Sequence, residues 1–235
     1  MLGHSHSLSG LAAGTGAGIA LHMSIPQTAA LAGFTAGMAL LPDLDQHGSC
    51  ASRSLGPLSE ALSRVMRKIC LGHRGLSHTW MGIAGFGGIA LLGAHLRHDW
   101  AGKAILGLLV MIAATGALEA LHVLRSGPAD VVGAAVAAAV AFWGWDLRLM
   151  TIAVPLGVLA HQLGDGLTEG GEAWLRPLSR HKFHLLPKWL QFTTGTRPEL
   201  LIVDPLLLLS LGLLASWAVA PGLDMMVWNH AVGAL

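Results

Sequence analysis

The chain has 235 residues, 53% hydrophobic and only 11% charged, with a formal net charge of +1 and a mean hydropathy of +0.61. A soluble domain carries about 25% charged residues, so the composition excludes an ordinary soluble enzyme and predicts an all-α, polytopic transmembrane bundle forming a single domain over 1–235. The small net charge and the lack of an unbroken basic surface argue against a nucleic-acid partner.

In chain order, "MLGHSHS" lacks the basic start of a signal peptide and no cleavage site follows, so the first apolar segment is expected to stay. A bilayer crossing needs about 20 apolar residues as helix. By that measure about seven spans are predicted, near 8–22, 27–42, 78–96, 104–123, 130–145, 149–164 and 201–220. In the first, Gly10, Gly14 and Gly18 repeat at four-residue spacing, the pattern that lets a second helix approach closely. The second ends in "LPDLDQHGS", which delivers Asp43, Asp45 and His47 to one spot. Residues 57–70 set apolar residues at helical spacing opposite basic ones, predicting an amphipathic helix on the inner membrane surface. "HRGLSH" then places His73, Arg74 and His78 just before the third span. Glu119 and His122, at i and i+3, close the fourth and read as structural support. "HQLGD" ends the sixth with His161 and Asp165. The loop "RPLSRHKFHLLPKW", with Arg180, Lys182 and Trp189, reads as an anchor at an anionic leaflet.

Basic residues set the orientation. Ten of the fourteen Lys and Arg lie in the loops between spans two and three and between spans six and seven, which the positive-inside rule places in the cytoplasm. The expected localisation is the plasma (inner) membrane with a cytoplasmic N-terminus. Cys50 and Cys70 fall on this reducing side, and two cysteines make no disulfide framework. The same orientation gathers His4 and His6, Asp43 and Asp45, His73 to His78, and His161 with Asp165 on one face. His and Asp four residues apart on a helix face the same way, and such nitrogen and oxygen donors suit zinc. Taken singly, each motif has a plainer reading. Pro42 with its aspartates can be a span-ending turn, His161 a hydrogen-bonded interfacial residue, and Arg74 a side chain reaching lipid headgroups rather than a bidentate grip on phosphate.

"LPDLD", "GHRGLSHT" and "HQLGDGLTEGG", in this order between apolar segments, resemble the YdjM-like proteins, a family described as membrane-bound metal-dependent hydrolases. The resemblance runs from "GHSHSLSG" to about Pro205. That family has His-Pro after "PDLD" where this chain has Gln46 and His47, and its N-terminal His is matched by His6, leaving His4 spare. More distantly, the motif order is similar to zinc-dependent phospholipase C and the fungal single-strand nucleases. Those resemblances imply His6, Asp45, His78, His161 and Asp165 as metal ligands, with His73 and Asp43 as further ligands or orienting partners. No counterpart of the enzymes' further His and Glu ligands is visible, which implies one or two ions, zinc ahead of manganese. Asp43 and Arg74 are the expected catalytic residues. The expected activity is hydrolysis of a phosphoester, with a membrane lipid as candidate substrate and the bilayer as partner. The alternatives are a metal-stabilised scaffold or regulator and a metal-ion transporter, whose ligands belong near the bilayer midplane.

Overall fold

The computed structural model describes residues 1–53, 56–142 and 147–232, and every regular element among them is helical. The end of the fifth predicted span, 143–145, lies outside the described residues.

α1 (Gly3–Ala20) and α2 (Ile25–Met38) form an antiparallel pair. The glycine repeat explains how closely they meet. A Cβ at Gly10 would stand 2.5 Å from the Thr35 carbonyl oxygen, one at Gly14 2.7 Å from the Ala32 Cα, and one at Gly18 2.6 Å from the Thr28 side chain. Every fourth residue of α1 is therefore filled by α2, which is the packing that the spacing predicts. α2 stops at Met38, earlier than expected, because Pro42 has no N–H to offer the Met38 carbonyl. A 3-10 turn, Pro42–Asp45, takes over. α1 in turn starts at Gly3, so His4 and His6 sit inside the helix rather than ahead of it.

α3 (Cys50–Arg53) and α4 (Pro57–Ile69) follow. α4 is the predicted amphipathic helix: Leu62 and Met66 pack on the core while Val65 and Ile69 stay exposed beside Arg64, Arg67 and Lys68. α5 (Trp80–His95), α6 (Trp100–Ala120), α7 (Pro128–Phe142) and α8 (Met150–Gly166) complete the body. Leu31 and Met38 of α2, Leu106 and Val110 of α6, and Met150 and Val154 of α8 are fully enclosed at its centre. Gly157 lets α8 press onto the end of α2, since a Cβ there would lie 2.7 Å from the Ala39 nitrogen.

After the loop at 167–198, a π-helical turn (Glu199–Val203) runs into α9 (Asp204–Val232), which lies against α1. Only 6% of the most apolar stretch of Glu199–Val219 is buried. Leu201, Leu213 and Trp217 are large apolar side chains left exposed along it. Glu199–Val219 and Trp100–Ala120 are the two described helices long and apolar enough to cross a bilayer, while Trp80–His95 and Pro128–Ala141 are apolar but shorter. The seven predicted segments are thus mainly helical where described, with turns at 39–41 and 121–123, and two described helices are both long and apolar enough to cross.

Candidate metal centre

Four chain segments deliver side chains to one end of the bundle: the first turns of α1, the Pro42–Asp45 turn, the loop before α5 and the last turns of α8. The loop before α5 is wound tightly by local chemistry. Gly72 takes φ +103° and Arg74 φ +56°, and the Leu76 N–H reaches back to the Cys70 carbonyl at 2.8 Å. This winding turns both His73 and His78 toward Asp45.

At the centre, His78 Nε2 and His161 Nε2 stand 3.1 Å apart. Each imidazole is committed at its other nitrogen. His161 Nδ1 donates to the Ala39 carbonyl at 2.7 Å, the contact that Gly157 permits. His78 Nδ1 lies 3.0 Å from the Ser77 hydroxyl and 3.5 Å from Asp45 Oδ2. With His161 Nδ1 donating, the His161 Nε2 lone pair faces His78 Nε2, and a proton or a metal ion belongs between the two nitrogens. Asp43 Oδ1 sits 3.7 Å from the first nitrogen and 3.8 Å from the second. Asp165 Oδ2 is 3.7 Å from His161 Nε2. Ligands at about 2.0–2.2 Å from a tetrahedral zinc are about 3.3–3.6 Å from one another. The three distances among His78 Nε2, His161 Nε2 and Asp43 Oδ1 lie close to the edges of one face of such a tetrahedron, and Asp165 belongs to the adjoining trio with His6 and His161.

The two aspartates face different ways. Asp43 faces the two Nε2 atoms. Asp45 stands behind His78, gripped by His73 Nδ1 at 2.8 Å and by the Ser77 hydroxyl at 2.5 Å, and it orients the imidazole rather than facing the common centre. His73 thus serves Asp45, although Asp43, Asp45 and His73 also form a possible ligand trio. His6 stacks on His161 with ring centroids 3.7 Å apart and brings Nε2 to 3.3 Å from Asp165 Oδ1. Its buried Nδ1 has no hydrogen-bond partner among the described residues. His6, His161 and Asp165 form a second trio whose donor atoms lie within 4.8 Å of one another, as do Asp43, His78 and His161. Two adjacent trios sharing His161 fit one ion or two.

Arg74 does not reach outward to lipid. Its guanidinium binds Asp165 Oδ2 at 2.7 Å and approaches Glu172 at 3.9 Å. The Met1 amino group also meets Asp165. Glu172 is the acid that the sequence reading missed. It joins His78 and Asp165 in a third possible trio, carried back by the Gly170–Gly171 turn, where Gly171 takes φ +58°, and pinned by paired backbone bonds with Phe183 at 2.9 and 2.8 Å. It lies beyond the end of α8 at Gly166, so helical spacing does not tie it to Asp165. Ser77 was missed too, because serine in a turn is commonplace.

Electrostatics follow the geometry. Burial works against charge on Asp43, but the Coulombic interaction with His161 and the His78 hydrogen bond hold its carboxyl well below the usual carboxylate range. Burial likewise opposes charge on Asp45, yet the hydrogen bonds from His73 and His78 bring its pKa down to about 2. Glu172 goes the other way: burial, reinforced by the Asp165 charge and opposed by His78, pushes it up to about 8. A polar cavity of about 400 Å³ opens over the cluster, lined by His6, Asp43, His47, Arg53, His73 and Arg74 among others. His47 and Arg53 reach the site only through this cavity. Glu119 and His122 belong to a neighbouring cavity and do not join the cluster.

The bundle combines two helices long and apolar enough to cross a membrane with a His/Asp cluster whose donor atoms could hold a metal ion beneath a polar cavity. The chain belongs to the YdjM inner membrane protein family, whose sequence model matches residues 1–223. No curated protein and no solved structure matches it.

Proposed function

We propose that this protein is a metal-dependent hydrolase of the inner membrane. It cleaves a phosphoester at a cytoplasm-facing site, with zinc ahead of manganese as the metal and one or two ions bound. The observation that carries this reading is the convergence of His78 Nε2, His161 Nε2 and Asp43 Oδ1 at tetrahedral spacing beneath an open polar cavity. The cavity favours a site that admits substrate over a closed structural one. The position of the cluster at the helix ends favours hydrolysis over transport through the bilayer midplane.

His6, Asp43, His78, His161 and Asp165 would hold the metal. A metal held there would supply hydroxide at neutral pH. The protein's own part is orientation and charge. The Ala39 carbonyl fixes the His161 tautomer, and Asp45 with Ser77 fixes that of His78. Arg74 pairs with Asp165 and, with Arg53, gives the cavity the positive wall that a phosphoryl group requires.

The test is phosphodiester hydrolysis by detergent-purified, zinc-loaded protein. Asp43→Asn is expected to lower the rate by about 10² or more while the protein stays folded, and chelation should abolish activity. Turnover that survives both treatments would overturn the proposal.

A further inference from the structure

The most anomalous group outside the metal centre is Glu119, at the end of α6. It is 8% exposed, and neither carboxylate oxygen has a hydrogen-bond partner among the described residues. A buried carboxylate is ordinarily paired or hydrogen-bonded. Glu119 lines a cavity of about 660 Å³, within the range of small-molecule sites. The same cavity is lined by Arg53, Arg125, His4 and His122, and at its apolar side by Leu2 and Val123. His4 is occupied by Asp204 at 2.8 Å. His122 is fixed by a backbone in the left-handed region, φ +57°, which ends the helix beside Glu119. Leu2, Gly3, Cys50 and Arg53 line both this cavity and the one over the metal centre, so the two adjoin.

We infer that this second cavity binds a zwitterionic headgroup bearing a primary ammonium and a phosphate, with the ammonium on Glu119 and the phosphate between Arg53 and Arg125. The inference rests on the phosphoester reading above and names the substrate class: an aminoalkyl phosphate, carried by a lipid or free. One orphan carboxylate beside two guanidinium groups complements a molecule with both charges better than a simple anion or cation. A primary ammonium donates up to three hydrogen bonds, which the two orphan oxygens call for; a quaternary ammonium donates none. Quaternary groups are instead held by aromatic faces, and no Phe, Tyr or Trp is among the described residues that line the cavity. Leu2 and Val123 suit a glycerol and acyl portion, which favours the lipid source.

The test is calorimetric binding to full-length protein in detergent, first stripped of metal so that no probe is consumed, then zinc-loaded. The probes are dihexanoyl phosphatidylethanolamine, dihexanoyl phosphatidylcholine and free phosphoethanolamine. The ethanolamine lipid should bind at least tenfold more tightly than the choline lipid. Glu119→Gln should erase that preference, and Arg125→Ala should weaken both lipids. Should Glu119→Gln fail to fold, the ethanolamine–choline comparison in the wild type still decides. Equal binding of the two lipids, no binding of either, or a preference untouched by Glu119→Gln overturns the inference. Free phosphoethanolamine binding as tightly as its lipid assigns the site to a soluble aminoalkyl phosphate. Metal content measured on the same samples separates failure of this inference from failure of the hydrolase reading.

Discussion

The Ser77 hydroxyl touches both Asp45 Oδ2 and His78 Nδ1, at 2.5 and 3.0 Å, so one small side chain ties an orienting carboxylate to a ligand imidazole. Removing it leaves Asp45 held by His73 and frees His78 to turn. Ser77→Ala is expected to cost about 1 kcal/mol of stability and to weaken metal binding by about 10–100-fold, read by chelator competition alongside a thermal melt. Unchanged metal affinity would show that Ser77 does not orient His78. At this scale the residue types were legible and their roles were not. "PDLD" announces two carboxylates, but which of Asp43 and Asp45 faces the centre depends on the 3-10 winding that Pro42 starts. "HRGLSH" announces two histidines, but not that positive-φ turns at Gly72 and Arg74 bring both to one aspartate. Arg74 reads equally well as a headgroup contact until Asp165 and Glu172 are seen around it.

Between elements, the decisive contact is α8 on the end of α2. Gly157 sets the separation that lets His161 Nδ1 reach the Ala39 carbonyl at 2.7 Å. Gly157→Val must push the helices apart, because the atoms its Cβ would meet include backbone. Such overpacking costs about 1–3 kcal/mol, and the variant should lose metal without any ligand having been altered. Metal analysis of the folded variant checks this; full occupancy would mean that the interface yields without disturbing His161. A glycine repeat is readable where it has a period, as at Gly10, Gly14 and Gly18, and their α2 partners occupy the spaces left by the missing side chains. Gly157 shares α8 with Gly164 and Gly166 at no four-residue repeat and carries no such pattern. The boundary of α2 was overextended because hydropathy continues through Leu40 and Leu41, whereas the hydrogen-bond ladder is broken by Pro42.

For the whole molecule, exposed apolar surface and basic loops define the setting. The most apolar stretch of Glu199–Val219 is only 6% buried, and the 167–198 loop carries Leu178 at 92% exposure among arginines and lysines. A cysteine at Leu178, in a Cys50→Ala/Cys70→Ala background, should react with a membrane-impermeant maleimide in inverted vesicles and not in intact cells. Labelling in intact cells would reverse the orientation. The all-helical class and the gathering of polar motifs at one end follow from apolar segments alternating with His/Asp-rich ends. The number of full crossings does not, because helix length rather than local hydropathy decides it, and α2, α5, α7 and α8 are short. The central claim is that the clustered His and Asp side chains form a metal site. Its most direct measurement is elemental analysis of detergent-purified wild type beside His161→Ala/Asp165→Ala, both monodisperse and folded. The account predicts at least one zinc or manganese per wild-type chain and none in the variant. Wild type that carries no metal, and takes none up after chelation and reloading, would contradict it.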